Sequence, residues 1–124
     1  MNTSPFLHCP QCRSGEIEFR DNKQLVCLNC DFCYFHNVAT AVGAIIRHGS
    51  EILLAIRSRE PAQGMLDLPG GFTDPGESLE QALQREIQEE LGLQLNHPRY
   101  LFSFANTYLY AGVLYQTTDV IFEF

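Results

Sequence analysis

The sequence predicts an α+β protein: a β-sheet that carries at least one α-helix, preceded by a small zinc ribbon. Three observations support this fold class. The cysteines are confined to the first third of the chain, several apolar runs have the composition of strands, and one later segment has the apolar spacing of a helix. With 124 residues, of which 45% are hydrophobic, the chain is long enough for one domain and a small appendage. It is too apolar to be disordered as a whole.

Two Cys-x-x-Cys pairs predict that residues 1–36 form a zinc ribbon. The pairs are Cys9 with Cys12 and Cys27 with Cys30, and 14 residues separate them. Two thiolates from each tight turn can converge on one Zn²⁺ ion. The metal would be structural, because a hairpin of this size is too small to form its own hydrophobic core.

The segment between the two pairs is expected to form two short strands joined by a turn at Asp21 and Asn22. The strand residues are apolar: Ile17, Phe19, Leu25 and Val26. A disulfide framework is the alternative interpretation of the four cysteines. It is disfavoured because the N-terminal sequence has no visible secretory signal. The fifth cysteine, Cys33, is interpreted as a spare thiol.

Residues 37–124 are expected to form the sheet domain. Nearly continuous apolar runs at 41–46 and 52–56, split by a His-Gly-Ser turn, predict a hairpin whose strands are buried on both faces. Further strands are predicted at 100–104 and 113–124, which are rich in aromatic and β-branched residues. A sheet that is apolar on both faces needs two covers, and the sequence offers one helix. The ribbon, a partner subunit or a further segment is expected to supply the second.

One helix is predicted to begin after Ser78 and to end at Gly92. Ser78 and Gln81 have the spacing of a capping box, and Gly92 occupies the position of a C-cap. Four apolar residues recur at every fourth position and form the buried stripe of this helix: Leu79, Leu83, Ile87 and Leu91.

Three carboxylates on this helix are the strongest functional feature of the sequence. Glu86, Glu89 and Glu90 fall within an arc of about 100° when they are placed at helical spacing. They repel one another unless a cation lies among them, and hard oxygen ligands select Mg²⁺ or Mn²⁺. Arg85 lies beside them, where it can form an ion pair with Glu77. A solvated acidic face is the alternative interpretation.

A glycine pair, Gly70-Gly71, precedes the helix and is a candidate phosphate-binding segment. Glycines let the backbone approach a ligand closely. Backbone N–H groups near the start of the helix, together with the positive end of its dipole, favour a phosphate. An ordinary turn is the alternative interpretation of the pair.

From Gly71 to Leu93 the chain matches every fixed position of the pattern G-x5-E-x7-R-E-I-x-E-E-x-G-L. By average residue usage, a chance match at a given start is rarer than about one in a hundred million. This stretch resembles the Nudix box, and the preceding Asp67-Leu68-Pro69-Gly70 resembles the usual approach to it. With the ribbon in front, the layout is similar to NADH pyrophosphatases and to ADP-ribose pyrophosphatase-like Nudix proteins.

The resemblance implies an α/β/α sandwich with a mixed sheet. The sequence shows no C-terminal helix after the last strand, so residues 37–124 are expected to be a truncated Nudix domain. The resemblance also implies a Mg²⁺ or Mn²⁺ site with these ligands: Glu86, Glu89, Glu90 and the backbone carbonyl of Gly70. Arg85 and Glu77 would position the carboxylates. The implied reaction is hydrolysis of a nucleoside diphosphate linked to another moiety.

ADP-ribose is the substrate that the resemblance favours. After the box, residues 102–108 read FSFANTY, where NADH pyrophosphatases carry S-Q-P-W-P-F-P-x-S. NADH or another dinucleotide is therefore the alternative. A further alternative is a module that senses a nucleotide without cleaving it and whose ribbon contacts a partner.

The sequence leaves the general base and the base-binding residues open. Glu86 or Glu89 could take the proton of the attacking water, and Glu123 is a candidate from outside the box or else a strand-edge charge. Four aromatic residues could stack on an adenine or could simply pack in the sheet: Phe104, Tyr108, Tyr110 and Tyr115.

The net charge of the chain limits the kinds of molecule that it is expected to bind. Eight Lys and Arg against fifteen Asp and Glu give a net charge of −7. This disfavours nucleic acid as a partner but is compatible with a small nucleotide whose charge a divalent cation neutralises. No apolar stretch approaches the roughly 18 residues that span a bilayer, so no membrane is expected and the predicted location is cytoplasmic. The uncovered sheet face also leads us to expect a homodimer.

Overall fold

The computed structural model describes residues 4–124, so the first three residues of the predicted ribbon, 1–36, lie outside the described part. The described chain forms one helix among short and long strands. In chain order the elements are β1 (Ile17–Arg20), β2 (Gln24–Cys27), β3 (Cys33–Phe35), β4 (Ala39–Ile45), β5 (Arg47–His48), β6 (Glu51–Ile52), β7 (Ala55–Ile56), β8 (Leu66–Asp67), β9 (Gly70–Phe72), α1 (Leu79–Leu91), β10 (Arg99–Tyr110) and β11 (Val113–Glu123).

The N-terminal segment forms a three-stranded antiparallel sheet in the order β1-β2-β3. The predicted hairpin is confirmed, and its turn lies at Asp21 and Asn22, whose φ angles are 51° and 57°. Such positive φ angles suit a tight hairpin turn, and Asn and Asp tolerate them. Strand β3, which begins at Cys33, was not predicted and pairs with β2.

The second part is built on a mixed sheet in the order β10-β11-β4-β9. Strand β11 runs parallel to β4, whereas the β10–β11 and β4–β9 pairs are antiparallel. The turn between β10 and β11 lies at Ala111 and Gly112, which both have positive φ angles. This sheet with its single helix confirms the predicted fold class.

Helix α1 covers one face of the sheet, and its predicted ends are confirmed. Ser78 caps it, with both hydrogen bonds of the capping box to Gln81, and Gly92 ends it at a φ angle of 68°. The core between helix and sheet consists of buried apolar residues from both: Val42, Ala44, Ala82, Leu83, Ile87, Val120 and Phe122. Burial of this face fixes the orientation of the helix and therefore of the glutamates at its other side.

The prediction that residues 52–56 form a strand buried on both faces is wrong. The His-Gly-Ser turn does close a hairpin, but that hairpin pairs only β5 with β6, and β7 pairs with β8 outside the main sheet. Ile52 is 46% exposed and Ile56 is 70% exposed. The chain leaves the main sheet after Ile45, so its apolar side chains no longer lie between two layers.

The prediction that 41–46 is buried on both faces is confirmed at the centre of β4, where Val42, Gly43 and Ala44 are all buried. Val42 and Ala44 face the helix, whereas Ala41 and Gly43 line a cavity on the opposite face. Within residues 4–124, no helix covers that face. A Cβ on Gly43 would lie 3.1 Å from Ile121 and 3.8 Å from Leu68, so these two side chains cover Gly43 on that face. At one end of it, the ring of Tyr115 contacts His36, which follows the ribbon.

In the described part of the chain, no helix combines the length and the apolar character needed to cross a membrane.

Candidate functional site

The four predicted zinc ligands converge at one point in the ribbon. Their sulfur atoms all lie within 4.8 Å of one another. The Cys9 and Cys30 Sγ atoms are 3.7 Å apart, and the Cys12 and Cys27 Sγ atoms are 3.6 Å apart. A tetrahedral site with Zn–S bonds of about 2.3 Å places its sulfurs about 3.75 Å apart. The four thiols therefore fit Zn²⁺.

Backbone N–H groups are also directed at these sulfurs, as a site for thiolates requires. Gln11 and Cys12 donate to the Sγ of Cys9, and the two equivalent residues of the second turn donate to the Sγ of Cys27, each at 3.4 Å. The side-chain amide of Asn29 lowers the pKa of Cys12 to about 6. All five cysteines are free thiols in the described residues, and Cys33 is exposed, outside the cluster. The disulfide alternative is not supported.

Arg85 organises the acidic groups around the start of α1. Its Nε and Nη2 atoms donate to the two carboxylate oxygens of Glu77 at 2.5 and 2.9 Å, which confirms the predicted ion pair. Its Nη1 donates to Glu86 at 2.9 Å, and Nη2 also donates to the carbonyl of Phe72 at 3.1 Å. The guanidinium, aided by the backbone N–H of Asp74, lowers the pKa of Glu77 to about 2. A charged, bidentate pair of this kind fixes both partners.

Glu86 lies against the backbone of β9. A Cβ atom placed on Gly71 would be 2.6 Å from the carboxylate carbon of Glu86, closer than real contacts allow. Only glycine leaves room for this carboxylate, whose side chain is 16% exposed. The absence of a side chain at Gly71 therefore makes room for the carboxylate of Glu86.

The other two glutamates differ in their surroundings. Glu90 accepts a hydrogen bond from the N–H of Gly70 at 3.3 Å, and partial desolvation raises its pKa. Glu89 is 60% exposed and lies 3.5 Å from Arg85. Among residues 4–124, the four cysteines are the only group of three or more His, Cys, Asp or Glu residues whose ligand atoms all lie within 4.8 Å of one another. The three glutamates nevertheless supply hard oxygen donors on one side of one helix, a donor set that fits Mg²⁺ or Mn²⁺.

These glutamates line a cleft of about 650 Å³ together with the loop before β9. Charged and glycine residues of the lining are Arg57, Arg59, Asp67, Gly70, Glu86, Glu89 and Glu90. The cleft thus places carboxylates, arginines and an open backbone within reach of one small molecule. Glu123 does not line it and instead pairs with Arg99 and Arg47.

Arg57 is a site residue that the sequence did not reveal. Its Nη1 donates to Asp67 at 3.0 Å and its Nε to the carbonyl of Pro61 at 2.7 Å. The bond to Asp67 raises the pKa of Arg57 further. In the sequence it is an arginine after an apolar run, and its partner follows ten positions later. The two residues are brought together by the pairing of β7 with β8, which the sequence did not predict.

A mixed sheet, an acidic helix and a glycine pair facing its glutamates define the class of domain. The chain belongs to the NUDIX domain family, whose model matches residues 37–122. It is 36% identical over 95 residues to a protein of Chromobacterium violaceum named NAD-capped RNA hydrolase NudC, a match that covers 77% of this chain and 36% of that protein. The chain thus spans about a third of the length of the curated relatives it matches.

Two solved structures show the same fold. The MutT NUDIX hydrolase of Burkholderia pseudomallei is 32% identical, with a TM-score of 0.63, over 71% of this chain and 67% of that one. The NUDIX domain of Shewanella oneidensis NrtR, solved with ADP ribose, is 28% identical, with a TM-score of 0.59, over 73% of this chain and 61% of that one.

Proposed function

We propose that this chain is a divalent-metal-dependent hydrolase that cleaves the diphosphate of a nucleoside diphosphate linked to another moiety, with ADP-ribose as its substrate. The observation that carries the proposal is the arrangement around Arg85. This residue binds Glu77 through two hydrogen bonds and Glu86 through a third, and Glu86 lies in a cleft with Glu89 and Glu90. A purely solvated acidic face would not need a partly buried arginine to hold its members in place.

In this proposal the metal ligands are Glu86, Glu89, Glu90 and the carbonyl of Gly70. A bound Mg²⁺ supplies neutralisation of the diphosphate charge and makes water more acidic. Arg85 orients Glu86 through the hydrogen bond from its Nη1. Gly70 lets β9 pack closely on β4, since a Cβ there would lie 1.9 Å from the carbonyl oxygen of Val42, and its N–H donates to Glu90 in the cleft.

The reaction adds water across the P–O–P bridge. Water attacks one phosphorus, the bridging bond breaks, and ADP-ribose yields AMP and ribose 5-phosphate. A carboxylate of the cleft, Glu86 or Glu89, accepts the proton of the water. Stabilisation of charge on the phosphoryl oxygens is the main catalytic contribution expected for such a displacement.

Two relatives bear on the substrate. The NrtR domain solved with ADP ribose supports an adenine nucleotide in this fold. The proteins named NAD-capped RNA hydrolase NudC favour an NAD-type diphosphate instead, and NADH therefore remains the alternative substrate.

The test is a substrate panel with Mg²⁺: ADP-ribose, NADH, NAD-capped RNA and other dinucleotides, with AMP or the decapped RNA measured as product. Glu89→Gln and Glu90→Gln are expected to lower turnover by roughly a hundredfold or more. Glu80→Gln is the matched control, because Glu80 is an exposed acid in the first turn of the same helix. Unchanged turnover in the first two variants would contradict the mechanism.

A second candidate function is a nucleotide-sensing module; the likeness to the NrtR domain, which was solved with ADP ribose, supports nucleotide binding. It predicts tight binding of ADP-ribose with no product after long incubation. The ion pair of Arg85 with Glu77 argues for the hydrolase, since a sensor needs no ordered set of carboxylates.

We further propose that residues 1–36 form a structural zinc ribbon and that residues 37–124 form the Nudix domain. The zinc ribbon is supported by the convergence of four cysteine sulfurs, those of Cys9, Cys12, Cys27 and Cys30. The two units meet where His36 packs against Tyr115. The proposed ligand of the Nudix domain, residues 37–124, is a small-molecule nucleotide.

A further inference from the structure

The ribbon contacts the sheet domain through the ring of His36. The centroid of this ring lies 6.2 Å from that of Tyr115, and the two rings meet edge-on at 76°. On the ribbon side, the His36 ring lies 6.1 Å from Phe6 and 6.4 Å from Phe19. The backbone N–H of His36 donates to the carbonyl of Lys23 at 2.7 Å, which ties the residue to the ribbon hairpin. His36 is therefore held by the ribbon and contacts a strand of the main sheet.

Tyr115 is one of three tyrosines that lie together on the open face of the sheet. It lies directly opposite Tyr108 in the pairing of β10 with β11. The ring of Tyr108 is stacked on that of Tyr110 at 6.3 Å, and it lies 5.3 Å from the ring of Phe72 on β9. Directly opposite residues of antiparallel strands share one face of the sheet and contact each other. A displacement of Tyr115 would therefore change the position of Tyr108.

The three tyrosines line a cavity of about 920 Å³, and so does Val38, which follows His36 by two residues. Arg57 and Arg59 line both this cavity and the glutamate cleft, which makes the two spaces continuous. Arg57 is paired with Asp67, whereas Arg59 forms no ion pair within residues 4–124. A substrate whose diphosphate lies in the cleft can therefore extend past Arg59 to the tyrosines.

We propose that the ribbon is part of the substrate site: His36 is a positioning residue that holds Tyr115, and through it Tyr108, in place for the substrate. This rests on the hydrolase function proposed above. Edge-on ring pairs attract each other through their quadrupoles as well as through buried area. Without the ring of His36, Tyr115 loses its support on the ribbon side. The substrate must then order the tyrosines as it binds, which weakens its binding.

The effect of His36 is expected in substrate binding and not in the chemical step. The three glutamates belong to α1, which packs on the opposite face of the sheet against Val42 and Val120. Loss of the His36 ring should therefore raise KM and leave kcat unchanged. A general loss of structure would instead lower kcat, because it reduces the fraction of active protein.

His36→Gln is the test variant, because glutamine keeps a polar side chain but has no ring. Two measurements are made with Mg²⁺: the KM and kcat of ADP-ribose hydrolysis, and the Kd of α,β-methylene ADP-ribose, whose P–C–P bridge resists hydrolysis. KM and Kd are expected to rise by roughly three- to tenfold, the worth of one aromatic pair, while kcat stays within about twofold. His36→Phe restores a ring and is expected to recover most of the affinity.

Tyr34→Gln is the matched control. Tyr34 belongs to the aromatic cluster of the ribbon, where its ring lies 5.9 Å from that of Phe6, and among residues 4–124 it has no ring contact with Tyr115. Its KM and Kd should equal those of the wild type. In a double-mutant cycle, His36→Gln should have no further effect on Kd in a protein that carries Tyr115→Leu, because His36 acts through Tyr115.

The outcomes separate this inference from the proposed function. Weaker binding of the analogue in His36→Gln, recovered in His36→Phe, without hydrolysis of ADP-ribose by the wild type supports the role of His36 and contradicts the hydrolase. Hydrolysis of ADP-ribose with an unchanged KM in His36→Gln overturns the role of His36 and leaves the hydrolase standing. An equal loss of affinity in Tyr34→Gln, a fall in kcat in place of the rise in KM, or no binding of the analogue by the wild type also overturns the inference.

Discussion

Replacing Gly71 by alanine tests whether the carboxylate of Glu86 must lie against the backbone of β9. The new Cβ would lie 2.6 Å from both the Cδ and the Oε1 of Glu86, whereas ordinary contact begins at 3.4 Å. The carboxylate must therefore retreat by about 0.8 Å, the difference between these distances. Because it is the far end of a flexible side chain, the retreat should cost little stability.

The functional cost should be much larger. Displacing a metal ligand or its support lowers metal affinity or rate by about 10–100-fold, and a misplacement near 1 Å has effects of similar size. Gly71→Ala is therefore expected to need about 10–100-fold more Mg²⁺ for half-maximal hydrolysis of ADP-ribose. Its thermal midpoint should stay within about 2 °C of the wild type. The assay is product formation across a Mg²⁺ titration, alongside thermal unfolding.

Gly70→Ala is the contrasting variant. Gly70 has a φ angle of 153°, and a Cβ there would lie 1.9 Å from the carbonyl oxygen of Val42, which is backbone and cannot give way. This variant should disrupt the β4–β9 pairing and unfold at a markedly lower temperature. The reasoning is refuted if Gly71→Ala has the Mg²⁺ dependence of the wild type, or if it unfolds as readily as Gly70→Ala.

Two further predictions concern acid stability and zinc. Glu77 has a native pKa of about 2 against a usual 4.5, so the stability that Arg85 gives it is complete above pH 4.5 and is lost as the pH falls towards 2. In urea titrations at several pH values, Arg85→Met should flatten the fall in unfolding free energy across this window; a slope like that of the wild type would count against the pair. The purified protein should contain one zinc ion per chain by elemental analysis. Cys12→Ser should lose it and retain the circular dichroism of α1, whereas Cys33→Ser should retain it; a wild-type protein without zinc would refute the ribbon assignment.

The features that were predicted correctly depend on residues close in the chain. The ends of α1 follow from Ser78, Gln81 and Gly92, which act within one helical turn of the backbone groups they satisfy. The ion pair of Arg85 with Glu77 joins residues eight positions apart across the helix start. Such contacts are fixed by local geometry, whatever the rest of the fold does.

The predictions that failed required knowledge of which strands pair. The apolar run at 52–56 has strand composition, but periodicity does not reveal whether a strand enters the main sheet or forms a separate hairpin. The same limit concealed the contact of Arg57 with Asp67. Asp67 is followed by a distinctive Leu-Pro-Gly segment, but nothing in the sequence indicates that Asp67 contacts Arg57.

The helix, the two cysteine pairs and the acidic face of α1 can be predicted from the sequence alone, because each is a short-range pattern with a fixed period or spacing. The packing of Glu86 on Gly71 and the position of Asp119 in a cavity with Ala41 are visible only in the folded chain. These contacts depend on the order and register of four strands drawn from distant parts of the chain. Register is set by burial of the whole helix-facing side, and a shift of one residue would turn every side chain of a strand to the other face.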